Sequence, residues 1–126
     1  MTLEEKKQWL GKYKVEQLEL ARFSAEYKRM LELSEMLSGD ALNLDEETKQ
    51  QLSAGKNSLC RRTSRMLRHK QEIEEKIDAL PNWNHALLLR YRYIDGCSWE
   101  EISEKMSYSC RSLHYMHKKA LLGIAI

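Results

Sequence analysis

The chain has one proline in 126 residues, at position 81, and this constrains its fold more than any other feature. Proline removes a helical hydrogen-bond donor and clashes with the preceding turn, so the stretch before it is free to run on as helix. Apolar residues recur along it at helical spacing. Trp9, Tyr13, Leu20, Phe23, Tyr27, Met30 and Leu37 follow intervals of three, four and seven, one stripe of a helix from about Thr2 to Leu37. Thr2 with Glu5 has the spacing of a capping box, which opens that helix. At the usual rise it spans about 50 Å. That is too long to hide inside so small a globule, so it must pair with another helix. Ser38-Gly39-Asp40 predicts its end, because glycine accepts the left-handed conformation that closes a helix.

A second long segment runs from near Asp45 to Leu80. Leu52, Leu59, Met66, Ile73 and Leu80 fall every seven residues; Leu67 and Ile77 widen the seam, while Thr63 and Lys70 interrupt it. A heptad pattern calls for a coiled-coil-like partner. Gly55 within it costs about 1 kcal/mol of helix stability, so a kink or a late start is expected there. Two segments of similar length joined by a short link predict an antiparallel hairpin. A bare hairpin leaves apolar surface uncovered, so self-association, most simply a homodimer, is expected.

Pro81 ends the second segment and opens a third, 81–126. Asn84 to Ile94 reads as a short helix with Leu87, Leu88, Tyr91 and Ile94 inward, stopped by Asp95-Gly96. Ser98 and Glu101 form a second capping box, opening a helix from Trp99 to about Met106. Ser107-Tyr108 is a tight turn, and Ser109 caps a last helix, Cys110 to about Leu122. The fold class is therefore all-α: a helical hairpin over 1–80, then a small three-helix domain over 81–126. A single proline and five glycines argue against turn-rich β folds and against disorder.

Residues 98–119 have the form of a helix-turn-helix. Its two helices cross around a tight turn and need apolar contacts at fixed offsets. Ile102, Met106, Tyr108, Leu113 and Met116 fill the buried slots, and Ser103 fills the slot that requires a small residue. Ser107 stands where glycine is usual. The stretch Leu87-Leu88-Leu89-Arg90-Tyr91-Arg92-Tyr93-Ile94-Asp95-Gly96-Cys97-Ser98-Trp99-Glu100-Glu101-Ile102-Ser103-Glu104-Lys105-Met106, with Tyr108 to Leu121, resembles region 4 of sigma-70-type factors. It looks more closely like small phage transcription regulators of the ArpU and RinA kind. The resemblance covers roughly 80–124. Residues 1–80 do not look like the other core regions of a sigma factor, so a complete sigma factor is not expected. The resemblance implies a phage-encoded regulator of transcription that binds double-stranded DNA in the cytoplasm of a bacterial host.

On that reading the last helix enters the major groove. Leu113, Met116 and Ala120 point inward, leaving Ser109, Arg111, Ser112, Tyr115, Lys118 and Lys119 outward. A recognition helix presents its N-terminal side chains to base edges. The Arg111 fork matches guanine N7 and O6. Ser112 and Tyr115 add base or phosphate contacts. Lys118 and Lys119 bind phosphates, or simply complement the helix macrodipole in solvent. Ser109 and Ser98 offer helix N-terminal amides to phosphate.

Charge is uneven along the chain. Residues 48–71 carry seven basic residues and no acid, while 1–47 carry seven basic and eleven acidic residues. Arg61, Arg65 and Arg68 share a helical face. They either flank DNA or pair with Glu19, Glu26 or Glu35 of the first helix, and the opposed charges favour pairing. Cys110, His114 and His117 also share a face, but no fourth ligand is evident and no metal is expected. His117 is expected to pack or bond near the core. Trp9, Trp83 and Trp99 read as core or interface anchors. No nucleophile–base pair, phosphate loop or dinucleotide fingerprint occurs, so neither enzymatic activity nor a cofactor is expected.

The longest wholly apolar run, Ala86 to Leu89, is far short of a membrane span, and the charged start lacks a signal-peptide core. Cys60, Cys97 and Cys110 form no CxxC pair and are expected to be reduced thiols. Two other functions fit a helix-turn-helix joined to helical oligomerisation segments. One is a small DNA-packaging subunit of the terminase type. The other is an adaptor that binds RNA polymerase without touching DNA, favoured by Glu100, Glu101 and Glu104 on the first motif helix.

Overall fold

The computed structural model describes residues 1–38 and 45–126, with the backbone alone at Leu37 and Ser38. The described residues form α1 (Leu3–Ser38), α2 (Glu46–Asp78), α3 (Trp83–Leu89), a π-helical turn (Arg90–Ile94), α4 (Trp99–Met106) and α5 (Cys110–Gly123). No strand occurs among them, and the protein is all-α, two long helices followed by short ones. The expected stop at Gly39-Asp40 lies outside the described residues, as does the side chain of Leu37.

Local capping chemistry sets the helix starts. The Glu5 N–H donates to the Thr2 hydroxyl at 3.2 Å, and that hydroxyl donates to the Glu5 carboxylate. The carboxylate therefore returns to the hydroxyl rather than to the backbone N–H of the full capping box. Asp45 accepts the Thr48 N–H at 2.8 Å and opens α2. Asn82 accepts from Asn84 and His85, so α3 begins at Trp83, one residue before the expected Asn84.

The described residues divide into two compact units: Met1–Val15 with Arg68–Ile126, and Glu16–Leu67. The first turns of α1 and the last turns of α2 group with α3–α5.

In the unit Glu16–Leu67 the two long helices run antiparallel. Tyr27 lies against Gly55, and Arg62 stacks on the Phe23 ring at 4.6 Å, so numbering rises on one helix as it falls on the other. α2 is continuous through Gly55, so it does not start late there. A Cβ there would sit 2.9 Å from the Tyr27 ring, so glycine makes room for an aromatic of the facing helix. Leu20, Phe23, Tyr27, Leu52, Leu59 and Met66 are half-buried. Met30 and Leu67 are exposed and belong to neither seam. Facing a single partner, a helix covers only a narrow stripe, and these two positions fall beside it.

The other unit holds the core. Leu88, Cys97, Ile102 and Leu113 are buried together, with Tyr91, Trp99, Met106 and Met116 packed around them. α3 packs on α5, and α4 packs on α5 and on the π turn. Leu10, Tyr13, Ile73 and Ile77 are buried as well. Leu10 stands outside the stripe read from the sequence. The Lys6 ammonium donates to the carbonyls of Leu121 and Ile124 at 2.8 and 3.1 Å, satisfying acceptors at the end of α5. Arg90 pairs with Asp78 at 2.6 Å, fastening the π turn to the end of α2. That turn replaces the last five residues, Arg90–Ile94, of the regular helix expected over 84–94. The Asp95 N–H bonds the Arg90 carbonyl five residues back at 3.0 Å, and Gly96 reverses the chain with φ +70°. Leu88 and Leu89 are buried, while Leu87, Tyr91 and Ile94 are half-buried.

Candidate nucleic-acid interface

α4, the turn and α5 are built by short-range bonds. Ser98 accepts the Glu101 N–H at 3.2 Å, and the Glu101 carboxylate accepts the Ser98 N–H at 3.1 Å. The bond from the Ser98 N–H holds the Glu101 carboxyl below the usual carboxylate range. Ser107 closes α4 in the left-handed conformation, φ 60° and ψ 36°, with its N–H on the Ser103 carbonyl. A serine thus takes the conformation for which glycine is usual, at the strain a non-glycine residue carries there. Ser103 donates its hydroxyl to the Tyr108 carbonyl, so its small side chain also ties the turn. Ser109 then accepts the Ser112 N–H at 3.2 Å and opens α5.

The expected interior is present with one exception. Ile102 and Leu113 are fully buried, and Met106 and Met116 pack against them. Tyr108 is 39% exposed and is not a core residue. It lies in the turn between α4 and α5. Trp83 is exposed too, and is not a core anchor.

The six residues expected to contact DNA are all exposed. Arg111, Tyr115 and Lys118 stand at i, i+4 and i+7, with Ser112 and Lys119 beside them on the same side of α5. Tyr115 is 62% exposed, and Lys119 sits 4.7 Å above its ring. Ser109 is committed to the cap, donating also to the Ser112 hydroxyl at 3.0 Å. Exposed Leu122 continues the face by one turn.

The basic run has a different setting. In the unit Glu16–Leu67, Glu16, Glu19, Leu20, Arg62 and Arg65 line one small cleft. Glu26, however, pairs with Arg22 of its own helix at 3.4 Å. Arg62 spends its guanidinium on Phe23 and on the Ser58 hydroxyl.

A second constellation lies behind α5. Trp99 stands between rings: His114 at 4.3 Å, His117 at 5.0 Å, and the Arg92 guanidinium 4.7 Å over its face. His117 is 7% exposed, and its Nε2 meets the Tyr93 hydroxyl at 2.8 Å. Burial, then the nearby charges of Lys7 and Arg92, push His117 down to about 4. Burial pushes the Tyr93 hydroxyl up to about 12. Both groups are therefore neutral at pH 7. With Lys7 these residues line a cleft of about 360 Å³. Helical spacing brings together only His114 and His117: Lys7 is remote in sequence, and Arg92 and Tyr93 reach the cleft through the π turn. Cys110 directs its thiol to the Trp99 carbonyl at 3.9 Å. Among the described residues no group of three His, Cys, Asp or Glu is placed to hold a metal ion. Cys60, Cys97 and Cys110 are free thiols, and no described helix is long and apolar enough to cross a membrane.

Short helices around a buried cluster, one of them carrying an exposed polar and basic face, define an all-α protein with a helix-turn-helix unit near its end. Residues 30–123 match the family described as Protein of unknown function (DUF1492), and the chain belongs to that family. No curated protein and no solved structure matches the chain.

Proposed function

We propose that the protein is a phage-encoded, sequence-specific regulator of transcription that reads the major groove of double-stranded DNA with α5. The observation that carries the reading is the two-sidedness of this helix. Leu113, His117, Ala120 and Leu121 are buried, while Arg111, Ser112, Tyr115, Lys118 and Lys119 are exposed together on the far side. Arg111, in the first turn, is the base-reading residue, with Ser112 and Tyr115 beside it. Lys118 and Lys119 hold phosphates and position the helix. Ser109 acts through its cap, by fixing the first turn, rather than by offering a free hydroxyl. The chain acts as a homodimer through the incompletely covered long helices, without a cofactor and without catalysis, in the host cytoplasm. Two copies would read paired half-sites.

Selection of bound duplexes from a random pool, at stated salt, tests the reading. An enriched motif with two related half-sites is expected. Each phosphate neutralised by a basic side chain contributes about −0.9 to the slope of log affinity against log salt. Lys118 and Lys119 on phosphates therefore give a slope of about −2 per copy. No enrichment, or binding that stays flat between low and high salt, refutes it. A second reading, an adaptor for RNA polymerase, is favoured by exposed Glu100 and Glu104 on α4. It predicts no enrichment and retention on polymerase that Glu100→Lys with Glu104→Lys abolishes.

A further inference from the structure

We propose that the cleft lined by Lys7, Arg92, Tyr93, Trp99, His114 and His117 binds a small oxyanion ligand, one bearing a phosphate or a carboxylate. Its size, about 360 Å³, falls within the range of small-molecule sites. Its charge is one-sided. Two cations line it and no carboxylate does. Lys7 pairs with the exposed Glu4 at 3.2 Å. Such solvent-facing pairs are weak and open readily.

Arg92 is already held in place. One guanidinium nitrogen donates to the Cys97 carbonyl at 3.1 Å, and the plane rests on Trp99. A guanidinium carries five N–H donors in a fixed fork, so most remain for an oxyanion. Lys7 supplies a second positive group and His114 a ring nitrogen. The floor is the hydrogen-bonded pair of Tyr93 and His117, both neutral at pH 7, so it offers polar contacts and no charge that would repel an anion. The positive field that helps to drive the proton from His117 is the field an anion would meet. The π turn aims Arg92 and Tyr93 at this cleft, and π turns recur at functional sites. None of the residues assigned to DNA on α5 lines it, so the site stands whether or not that assignment holds.

The test is titration of the full chain with inorganic phosphate, pyrophosphate and citrate at constant ionic strength. The readout is the Trp99 indole N–H in ¹H–¹⁵N spectra, identified with Trp99→Phe. Saturable shifts are expected, weakened about fivefold or more by Lys7→Gln and by Arg92→Lys, the loss of one charge-assisted hydrogen bond. Lys28→Gln, at an exposed position in the unit Glu16–Leu67, leaves them unchanged. Saturation by the phosphates alone identifies a phosphorylated ligand, and saturation by citrate alone a carboxylate. Should Arg92→Lys fail to fold, exposed Lys7 decides. Shifts that do not saturate, that chloride reproduces, or that persist unweakened in Lys7→Gln overturn the proposal.

Discussion

Leu59 and Ile73 stand two heptads apart in one series on α2, yet Leu59 is half-buried in the unit Glu16–Leu67 and Ile73 is 1% exposed in the other. The difference is general. Every buried residue among the described ones lies in Met1–Val15 or Arg68–Ile126. A pair of helices offers each seam residue a single partner surface, and its other flank stays wet. Where α3, α4 and α5 add further walls, the same kind of residue disappears from solvent. A heptad register decides which side chains face a partner; how many elements converge decides whether they are buried.

The contrast breaks or sharpens under substitution. Ile102→Ala or Leu113→Ala in the buried cluster should cost about 2–5 kcal/mol, the range for large-to-small changes at enclosed sites. Leu59→Ala, at a half-covered site, should cost about 1 kcal/mol, roughly half the transfer free energy of a fully buried leucine. Urea denaturation of the variants measures both, and equal losses would remove the distinction.

Acid should act on the larger unit. The folded state holds His117 near 4 against an ordinary 6.5, so its neutral form is favoured by folding. A depressed histidine contributes its full stability above about pH 6.5. That stability is lost as pH falls toward 4, up to roughly 3 kcal/mol. Denaturation between pH 7 and 4 should show the loss, and His117→Phe should flatten it. A wild-type profile as flat as the variant's would mean that the buried imidazole is not held neutral. The smallest expected effect is at the cap: Ser98→Ala should cost about 1 kcal/mol, read from the shift in denaturation midpoint. No shift would show that this box contributes nothing to α4.

Much of this was legible from residue order, for a physical reason. Caps and helix faces are local, so Ser98 with Glu101, Ser109 and the exposed positions of α5 follow from spacing alone. The π turn does not, since Arg90 to Ile94 read equally well as ordinary helix until Asp95 bonds five residues back. Tyr108 looked like core because its type fits, but burial depends on walls that only tertiary packing supplies. The unit boundaries were hidden for the same reason: Lys6 bonds carbonyls at the far end of the chain. Of the two candidate sites, the face of α5 lies on one helix and could be read. The cleft gathers Lys7, Arg92 and His117 from separate elements and could not.

The proposed reading of a duplex by the outer face of α5 rests most on Arg111. Titrating a selected duplex with wild type and with Arg111→Ala tests it most directly. The account predicts a loss of about 1–3 kcal/mol with relaxed preference at one base position. Unchanged affinity and unchanged preference in Arg111→Ala would contradict it.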